Sequence, residues 1–582
     1  MTHDRLIANF SRLGEAPGFL EGLRGLILDL AIRGRLAPQD AIDEPASELL
    51  RRIEIERHRL VLSGDIPKER RVPALTTDDL PFGVPTNWTW VPVRQVTSGR
   101  AQTVPAGDFT YIDVSSIDNT AGRLGETKIL SASEAPSRAR KLVRTGDVLY
   151  SCVRPYLLNI AVIETDLTPP PIASTAFAIL NGFGLVIPRF IWIVLRSPTM
   201  VAIVEQKMRG QAYPAINDSD FAALPFPLPP LREQRCIVAK VGELLELCHQ
   251  LETTQSERER WMDLLTAASL GRLSVSTENG QEQARRANVR FHLSNLPRLT
   301  ARVNQVQALR KAILALAIRG MLVAQDPSDG DATALMERIL AERCQVRPKR
   351  GHGFLAEAGR DSGESLPFPL PHGWLWVRFG DLILDADSGW SPKTEGLPRS
   401  GDNWGVLKVS AVSWGEFRPE ENKQLLPGVV PPSSAVIKAG DFLISRANTA
   451  ALVAKSVVVE VQPNKLILSD KIVRLRLSSY CDKKFFCMLN NYADYARTYY
   501  AAEASGTSLS MKNVSRAVIY ALPVPLPPFN EQCRIVNRVE VLMTICDRLE
   551  AGLAATEDDR KRLLEVLLRE AIEPNVSVEV QV

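Results

Sequence analysis

Two stretches of this chain repeat one another, and a repeat of that size decides the architecture before any single motif is considered. Leu23-Arg24-Gly-Leu-Ile-Leu-Asp-Leu-Ala-Ile-Arg-Gly34 returns 286 residues later as Leu309-Arg310-Lys-Ala-Ile-Leu-Ala-Leu-Ala-Ile-Arg-Gly320. The same offset joins Gln39-Asp40 to Gln325-Asp326, residues 46–57 to 332–343, and Leu80-Pro-Phe with Trp88-x-Trp90-Val91 to Leu366-Pro-Phe with Trp374-x-Trp376-Val377. Gly146-Asp147-Val-Leu-Tyr-Ser151 meets Gly440-Asp441-Phe-Leu-Ile-Ser445 at an offset of 294. Leu224-Pro-Phe-Pro-Leu-Pro-Pro230 with Glu233-Gln234 meets Leu522-Pro-Val-Pro-Leu-Pro-Pro528 with Glu531-Gln532 at 298. The second copy is therefore 12 residues longer between the Trp-x-Trp and proline-rich landmarks, and the residues between them agree only in islands. A shared frame encloses different contents.

The frame has a physical reading. Just after the prolines, Ile237, Val241, Leu244, Cys248 and Leu251 step by 4, 3, 4, 3, and Ile535, Val539, Leu542, Cys546 and Leu549 repeat those steps, with Leu553, Leu563 and Leu567 prolonging the second stripe. An apolar period of 3.5 residues is the seam of a coiled coil. Two such stripes, each too narrow to be buried alone, have one another as partners, so the expected fold is mixed α+β, with two α/β modules and a coiled coil made by the two long helices. The alternative is two amphipathic helices, each lying on its own globular domain. Residues 23–36 and 309–322 also read as helices, stopped at Gly34 and Gly320, and are expected to brace the long ones as a second layer. The intervening regions carry short β patterns, as in Gly146 to Cys152, Ile160 to Ile163, Gly440 to Ser445 and Ser456 to Val461.

Composition excludes several classes. A chain of 582 residues, 45% hydrophobic and 24% charged, belongs to the globular proteins and holds several domains. With 70 Lys plus Arg against 67 Asp plus Glu, the net charge is only +3, so any polyanion site must be a local patch. The 8 cysteines are scattered without a C-x-x-C pair, which suits reduced thiols in a cytoplasm. The first residues lead into no apolar signal core, and the apolar stretch Thr175 to Leu195 is interrupted by Asn181, Gly182, Gly184, Pro188 and Arg189, so a buried strand and helix are expected there and no membrane span.

A search for catalytic parts finds none. There is no G-x-x-x-x-G-K-[ST] loop, and Gly182-Phe-Gly184 and Gly351-His-Gly353 lack the third glycine of a dinucleotide site. Leu526-Pro527-Pro528-Phe529 has the outline of the Asn/Asp-Pro-Pro-aromatic loop of amino-methyltransferases, but leucine offers no acceptor for an exocyclic amine. The histidines His3, His58, His249, His292, His352 and His372 lie far apart and predict no metal site. Asp147 and Asp441 read as turn residues bonding their own backbone, and Trp88, Trp90, Trp374 and Trp376 as structural anchors at the start of each module.

The order Leu-x-x-x-Ile-Leu-x-Leu-Ala-Ile-Arg-Gly, Leu-Pro-Phe with Trp-x-Trp-Val, Gly-Asp-x-Leu-x-Ser, then Pro-Leu-Pro-Pro-x-x-Glu-Gln into a heptad helix, all duplicated, closely resembles the specificity subunit of type I restriction-modification systems. The resemblance weakens in Ser276 to Thr300 and after Glu573. It implies an N-terminal helical spacer region (1–79), target recognition domains at 80–224 and 366–522, a central coiled-coil helix with helical spacer region (225–365) and a C-terminal coiled-coil helix (523–582). Each domain would read one half of a bipartite double-stranded DNA target, and the two long helices would form a long antiparallel two-helix coiled coil that separates the domains in a pseudo-two-fold internal repeat, fixes the spacer and docks the methyltransferase subunits. It further implies a non-catalytic, cytoplasmic chain, two modification (methyltransferase) subunits using S-adenosylmethionine, and restriction subunits using ATP and Mg²⁺, with no cofactor in this chain. A scaffold bridging two protein partners without sequence readout is the competing reading. The family supplies no base-contact motif. The DNA-binding candidates are therefore basic, amide and tyrosine side chains suited to phosphate or base edges: Arg138, Arg140, Lys141, Arg144, Arg154, Tyr156, Lys207, Arg209, Gln211 and Tyr213 in the first module, and Lys393, Arg446, Asn448, Lys455, Lys465, Lys471, Lys512 and Asn513 in the second.

Overall fold

The computed structural model describes residues 5, 7–40, 42–66, 72–273, 290–292, 294–346, 366–413, 415–506 and 511–572, so much of the weakly matching stretch Ser276 to Thr300 lies outside the described residues. The chain divides into two units, Met1–Arg258 with Thr556–Val582, and Glu259–Ala555.

The first unit opens with helices α1 (Phe19–Ile32) and α2 (Ala46–Ser63). α1 stops where Gly34 takes a φ of +66° and the Arg35 amide reaches back to the Leu30 carbonyl at 3.0 Å, a left-handed cap that satisfies the last carbonyls. A side chain at Gly34 would also collide with Pro85, whose Cγ lies 2.6 Å from the position a Cβ would take. The module is framed by β1 (Thr89–Pro92) and β11 (Pro225–Leu228), which pair antiparallel with Thr89 opposite Leu228. Pro225 and Pro227 alternate along β11, so both missing amides can fall on the side of this two-stranded sheet that faces no partner strand.

Between them lie two mixed sheets. One has the order β10-β7-β8-β4-β3, from Phe177–Leu180, Val148–Ser151, Ile160–Val162, Arg123–Leu124 and Ile117–Asp118. The other is β5-β2-β9-β6, from Lys128–Leu130, Phe109–Ile112, Pro171–Ser174 and Ala139–Leu142. Helices α3 (Pro188–Arg196) and α4 (Pro198–Lys207) follow, and then the long α5, Leu231–Leu273, begins behind its prolines. The apolar stretch read from Thr175 to Leu195 is thus β10 and the buried face of α3.

The second unit repeats the frame. Helices α6 (Val303–Ile318) and α7 (Ala332–Gln345) precede β12 (Leu375–Arg378), which pairs with β22 (Pro523–Leu526) in the same register, Leu375 opposite Leu526. Its sheets are β13-β20-β16-β18 (Ile383–Ser388, Ile472–Leu477, Phe442–Ser445, Ser456–Val458) and β15-β14-β19 (Asn422–Gln424, Gly405–Leu407, Leu466–Ile467), with a ribbon of β17 (Ala447–Asn448) and β21 (Lys512–Asn513). Helices α8 (Lys483–Tyr492) and α9 (Asp494–Glu503) cover them, and α10, Phe529–Ile572, is the second long helix.

Each heptad stripe has neighbours inside its own unit. Ile237, Val241 and Cys248 are buried, with Leu244 half-buried, in one core with Ile27, Leu28, Ala31 and Ile32 of α1 and the base of the first module, while Leu251 is exposed. Ile535, Val539 and Cys546 are buried with Ile313, Leu314, Ala317 and Ile318 of α6, and Leu542 and Leu549 pack partly against them. Within each unit the stripe is covered by the repeated short helix and the module base. Over two heptads a stripe that steps by 3 and 4 faces any one neighbour lying along the helix, short or long.

Candidate nucleic-acid interface

The repeated motifs act as bolts. Trp88 Nε1 donates to Glu233 Oε2 at 2.8 Å, and Trp374 Nε1 to Glu531 Oε2 at 3.0 Å, so the start of each module is pinned to the first turn of a long helix. Burial pushes both glutamate carboxyls above their ordinary value, and the indole donors pull back against that shift. The neighbouring glutamines close the joint: Gln234 accepts from the Ile187 amide at 2.9 Å and donates to the Pro229 carbonyl at 3.0 Å, while Gln532 accepts from the Asp482 amide at 2.8 Å and donates to the Pro527 carbonyl at 2.9 Å.

Arg24 meets Glu252 at 2.5 Å, and its repeat equivalent Arg310 meets Asp547 at 2.5 Å and Glu550 at 3.0 Å. Trp90 and Trp376 donate to the Phe82 and Phe368 carbonyls. All four tryptophans are thus held by protein partners. Asp147 and Asp441 each accept an amide three residues upstream, from Arg144 and Lys438, both at 2.8 Å, and each faces an arginine, Arg100 or Arg474.

On this frame each module carries the same small ribbon. In the first unit Val153 bridges Ala215, Ala215 bridges Arg209, and the Arg154 amide donates to the Pro214 carbonyl at 2.8 Å. In the second, Ala447 pairs with Asn513, Asn448 with Lys512, and Ser505 bridges Asn513. The first strands of the two ribbons are related by the offset of 294 and the second by 298, as the adjoining landmarks require. The side chains differ at each position: Cys152 against Arg446, Arg154 against Asn448, Tyr213 against Met511.

This ribbon gathers about half of the candidate residues. Arg154, Tyr156, Arg209, Gln211 and Tyr213 share one edge, with the Arg154 guanidinium 4.7 Å above the Tyr213 ring and Arg209 paired with Asp220 at 3.1 Å. Lys207 is exposed at the end of α4, just before Arg209. Arg446, Asn448, Lys512 and Asn513 form the equivalent edge, on which Asn448 donates to Ser413 Oγ at 2.8 Å, Arg446 to the Val514 carbonyl at 3.4 Å and Lys512 to the Gly506 carbonyl at 2.6 Å.

The basic run 138–144 does not act as one cluster. It spans β6, and Arg138 lies at the end joined to the ribbon through the Thr175–Ala176 turn, which receives the Cys152 amide and gives one to the Arg138 carbonyl. Arg144 lies beyond the other end of the strand, in the turn before β7, and Arg140 and Lys141 are half-buried along it. A four-residue strand separates ends that are adjacent only in sequence.

Elsewhere in the second module, Lys455 is half-buried, donating to the Asn491 carbonyl at 2.6 Å over the Tyr492 ring, and burial lowers its ammonium to about 8. Lys465 is paired with Asp402 and Lys471 with Asp470, while Lys393 is exposed. Lysines distant in sequence from the ribbon are thus largely engaged by the fold, and nothing in their local composition signalled it.

Burial pushes the thiols of Cys152 and Cys487 up to about 11, leaving them protonated. Among the described residues no three His, Cys, Asp or Glu side chains gather as metal ligands, and no helix is long and apolar enough to cross a membrane.

Comparison with known proteins decides the family. The chain is 30% identical over 570 residues to the type I restriction enzyme EcoEI specificity subunit of Escherichia coli, covering 95% of this chain and 94% of that one. This chain belongs to the family of type I restriction enzyme specificity subunits. The EcoAI specificity subunit of Escherichia coli is 27% identical over 572 residues, with 95% and 94% covered. Among solved structures, the HsdS subunit from Thermoanaerobacter tengcongensis is 23% identical with a TM-score of 0.43, over 84% of this chain and 98% of that one. A chain from a structure describing complex assembly and conformational transition of the type I R-M system is 25% identical with a TM-score of 0.48, covering 84% and 99%. No family model matches. A specificity subunit is a non-catalytic component, and this membership sets aside the scaffold without sequence readout.

Proposed function

We propose that this specificity subunit reads a bipartite duplex DNA target, one half-site through each module, residues 80–224 and 366–522. The observation that carries the reading is the paired ribbon: one backbone arrangement, at repeat-equivalent positions, bearing different side chains. Two readers of unlike half-sites need that combination, since common geometry sets a common approach to the duplex while side chains choose the bases. Residues 225–365 and 523–582 supply the spacer, as an antiparallel pair of long helices. At about 1.5 Å per residue, the 43-residue α5 is about 65 Å long, on the order of two turns of DNA.

The helices also dock two modification subunits, which bring S-adenosylmethionine and methylate each half-site, and restriction subunits bring ATP and Mg²⁺. The low net charge fits a complex in which these partners contact much of the phosphate backbone. The test is exchange of residues 97–220 for the module of another family member, followed by sequencing of methylated adenines in cells carrying the whole system. One half-site should change and the other stay. An unaltered target would refute the reading.

A further inference from the structure

The ribbon of the first unit carries a feature that the second lacks: a rigid apolar tip. Residues Pro155–Leu157 form a single 3-10 turn bracketed by Arg154 and Leu158, both in the left-handed region, at φ +49° and +56°. Residues with a Cβ avoid that region, and two so close together persist only where the surroundings enforce them. The enforcing group is Arg196. Its guanidinium donates to the Leu158 carbonyl at 3.0 Å and, across the neighbouring hairpin, to the Asn119 carbonyl at 2.8 Å and the Thr120 carbonyl at 3.4 Å. It lies 4.9 Å from the Trp192 ring, whose Nε1 donates to the Gly122 carbonyl at 2.9 Å. Asn119 Nδ2 completes the clamp on the Leu157 carbonyl at 3.0 Å. Burial lowers the guanidinium to about 10, which still leaves it charged at neutral pH.

This clamp holds large side chains out of the fold. Tyr156 is 40% exposed and Leu157 41%, and outside the clamp Tyr213 is 70% exposed with Arg154 stacked on it. Arg138 and Arg209 flank them through the backbone pairings described above. At the repeat-equivalent positions in the second module the residues are Ala450 and Ala451. Two or three side chains fall far short of the roughly 800 Å² per partner that a specific protein interface buries. Apolar side chains ringed by cations are, however, what a duplex accepts at a partly unstacked base step, where the rings are apolar and the backbone anionic.

We propose that Tyr156 and Leu157 form a wedge that enters a base step of the half-site read by the first module, and that Arg196 is the positioning residue that holds this wedge. The proposal rests on the reading of that module as a DNA reader, and it makes the two half-sites differ in how they are read: the first by deformation as well as contact, the second without a wedge.

The experiment uses the whole chain with its modification subunits. Methylated adenines are mapped for the parent, for the double variant Tyr156→Ala with Leu157→Ala, and for Arg196→Gln. The parent target is then made as a duplex with 2-aminopurine placed at each step of the first half-site in turn. The parent should raise the fluorescence of one step on binding. The double variant, altered only at exposed positions, should melt like the parent and leave that step dark. Its discrimination at one or two adjacent positions of the first half-site should fall roughly tenfold, with the second half-site unchanged. Arg196→Gln should relax the same positions, which a role limited to stability would not do. A double variant with the parental motif, rate and fluorescence would overturn the wedge. If exchange of residues 97–220 still moves the half-site, only the wedge falls; if that exchange is silent, the module's role as reader falls with it.

Discussion

Replacing Trp88 by phenylalanine withdraws one donor from a buried carboxylate, and the duplicated frame allows the cost to be worked out twice. Trp88 is 6% exposed and Glu233 3%, and their hydrogen bond is 2.8 Å long. Phenylalanine keeps an aromatic ring next to Cβ but loses the N–H and the distal ring of the indole. A hydrogen bond to a charged group contributes about 1.5–3 kcal/mol, and the volume left by the distal ring adds about 1 kcal/mol, so Trp88→Phe should destabilise the first unit by about 3 kcal/mol at neutral pH. Glu233 keeps a second donor, Gln39. Glu531 does not, because Gln325 donates instead to the His372 carbonyl at 2.9 Å, and Glu531 Oε1 is buried and unpaired among the described residues. Trp374→Phe should therefore cost more, about 4 kcal/mol.

The pH dependence has a definite sign. Both carboxyls titrate above the ordinary glutamate range because of burial, so their contribution to stability is fully present below that range and is lost as pH rises through the raised folded value. Removing the indole donor raises that value further. The penalty should accordingly be largest near pH 8 and shrink towards pH 5. With two units the unfolding need not be two-state, so hydrogen exchange of the amides in β1 and β11, and separately in β12 and β22, is the proper assay. Equal penalties at both pH values, or in both copies, would refute the account of a charge-assisted bolt.

Other consequences are more direct. Gly34→Ala should destabilise by about 2 kcal/mol or more, since a positive φ adds to the clash with Pro85, whereas Gly64→Ala at φ +78°, with nothing within 4 Å, should cost only about 1 kcal/mol; thermal unfolding separates the two. Arg310→Ala, which breaks contacts to both Asp547 and Glu550, should destabilise by about 1 kcal/mol, and by less at high salt because those carboxylates are at least partly exposed; a salt series of denaturant midpoints checks this. Arg138→Glu should weaken DNA binding by the complex and flatten its salt dependence more than Arg144→Glu does, because only Arg138 lies at the ribbon end of β6; equal slopes would put the interface elsewhere.

Much of this was legible in advance, for identifiable reasons. The prolines before each long helix, the glycines after each short one and the short, wholly buried apolar runs of β7 and β16 are local signals, and local sterics decide helix starts, helix stops and strands. The residues of the ribbon were legible only in part. Arg154, Tyr213, Asn448 and Lys512 were within reach as polar or aromatic side chains near landmarks, but a lysine engaged by the fold, such as Lys455, has the same sequence signature as one facing solvent. Arg196 was missed altogether. Its partners, Leu158, Asn119 and Thr120, are 38 to 77 residues away and offer backbone carbonyls, which have no side-chain identity to detect.

The sequence by itself determined that the chain is built twice on one frame, because each landmark of that frame is a residue type chosen for a local backbone or packing need and therefore recurs as a readable string. Only the tertiary structure decided what the landmarks hold and what covers the apolar stripes. Trp88 and Glu233 meet across 145 residues, and the start of the α5 stripe is buried in one core with α1. The physical reason is that periodicity specifies that a face must be buried, while the identity of the surface that buries it depends on contacts distant in the chain, which a one-dimensional pattern does not encode.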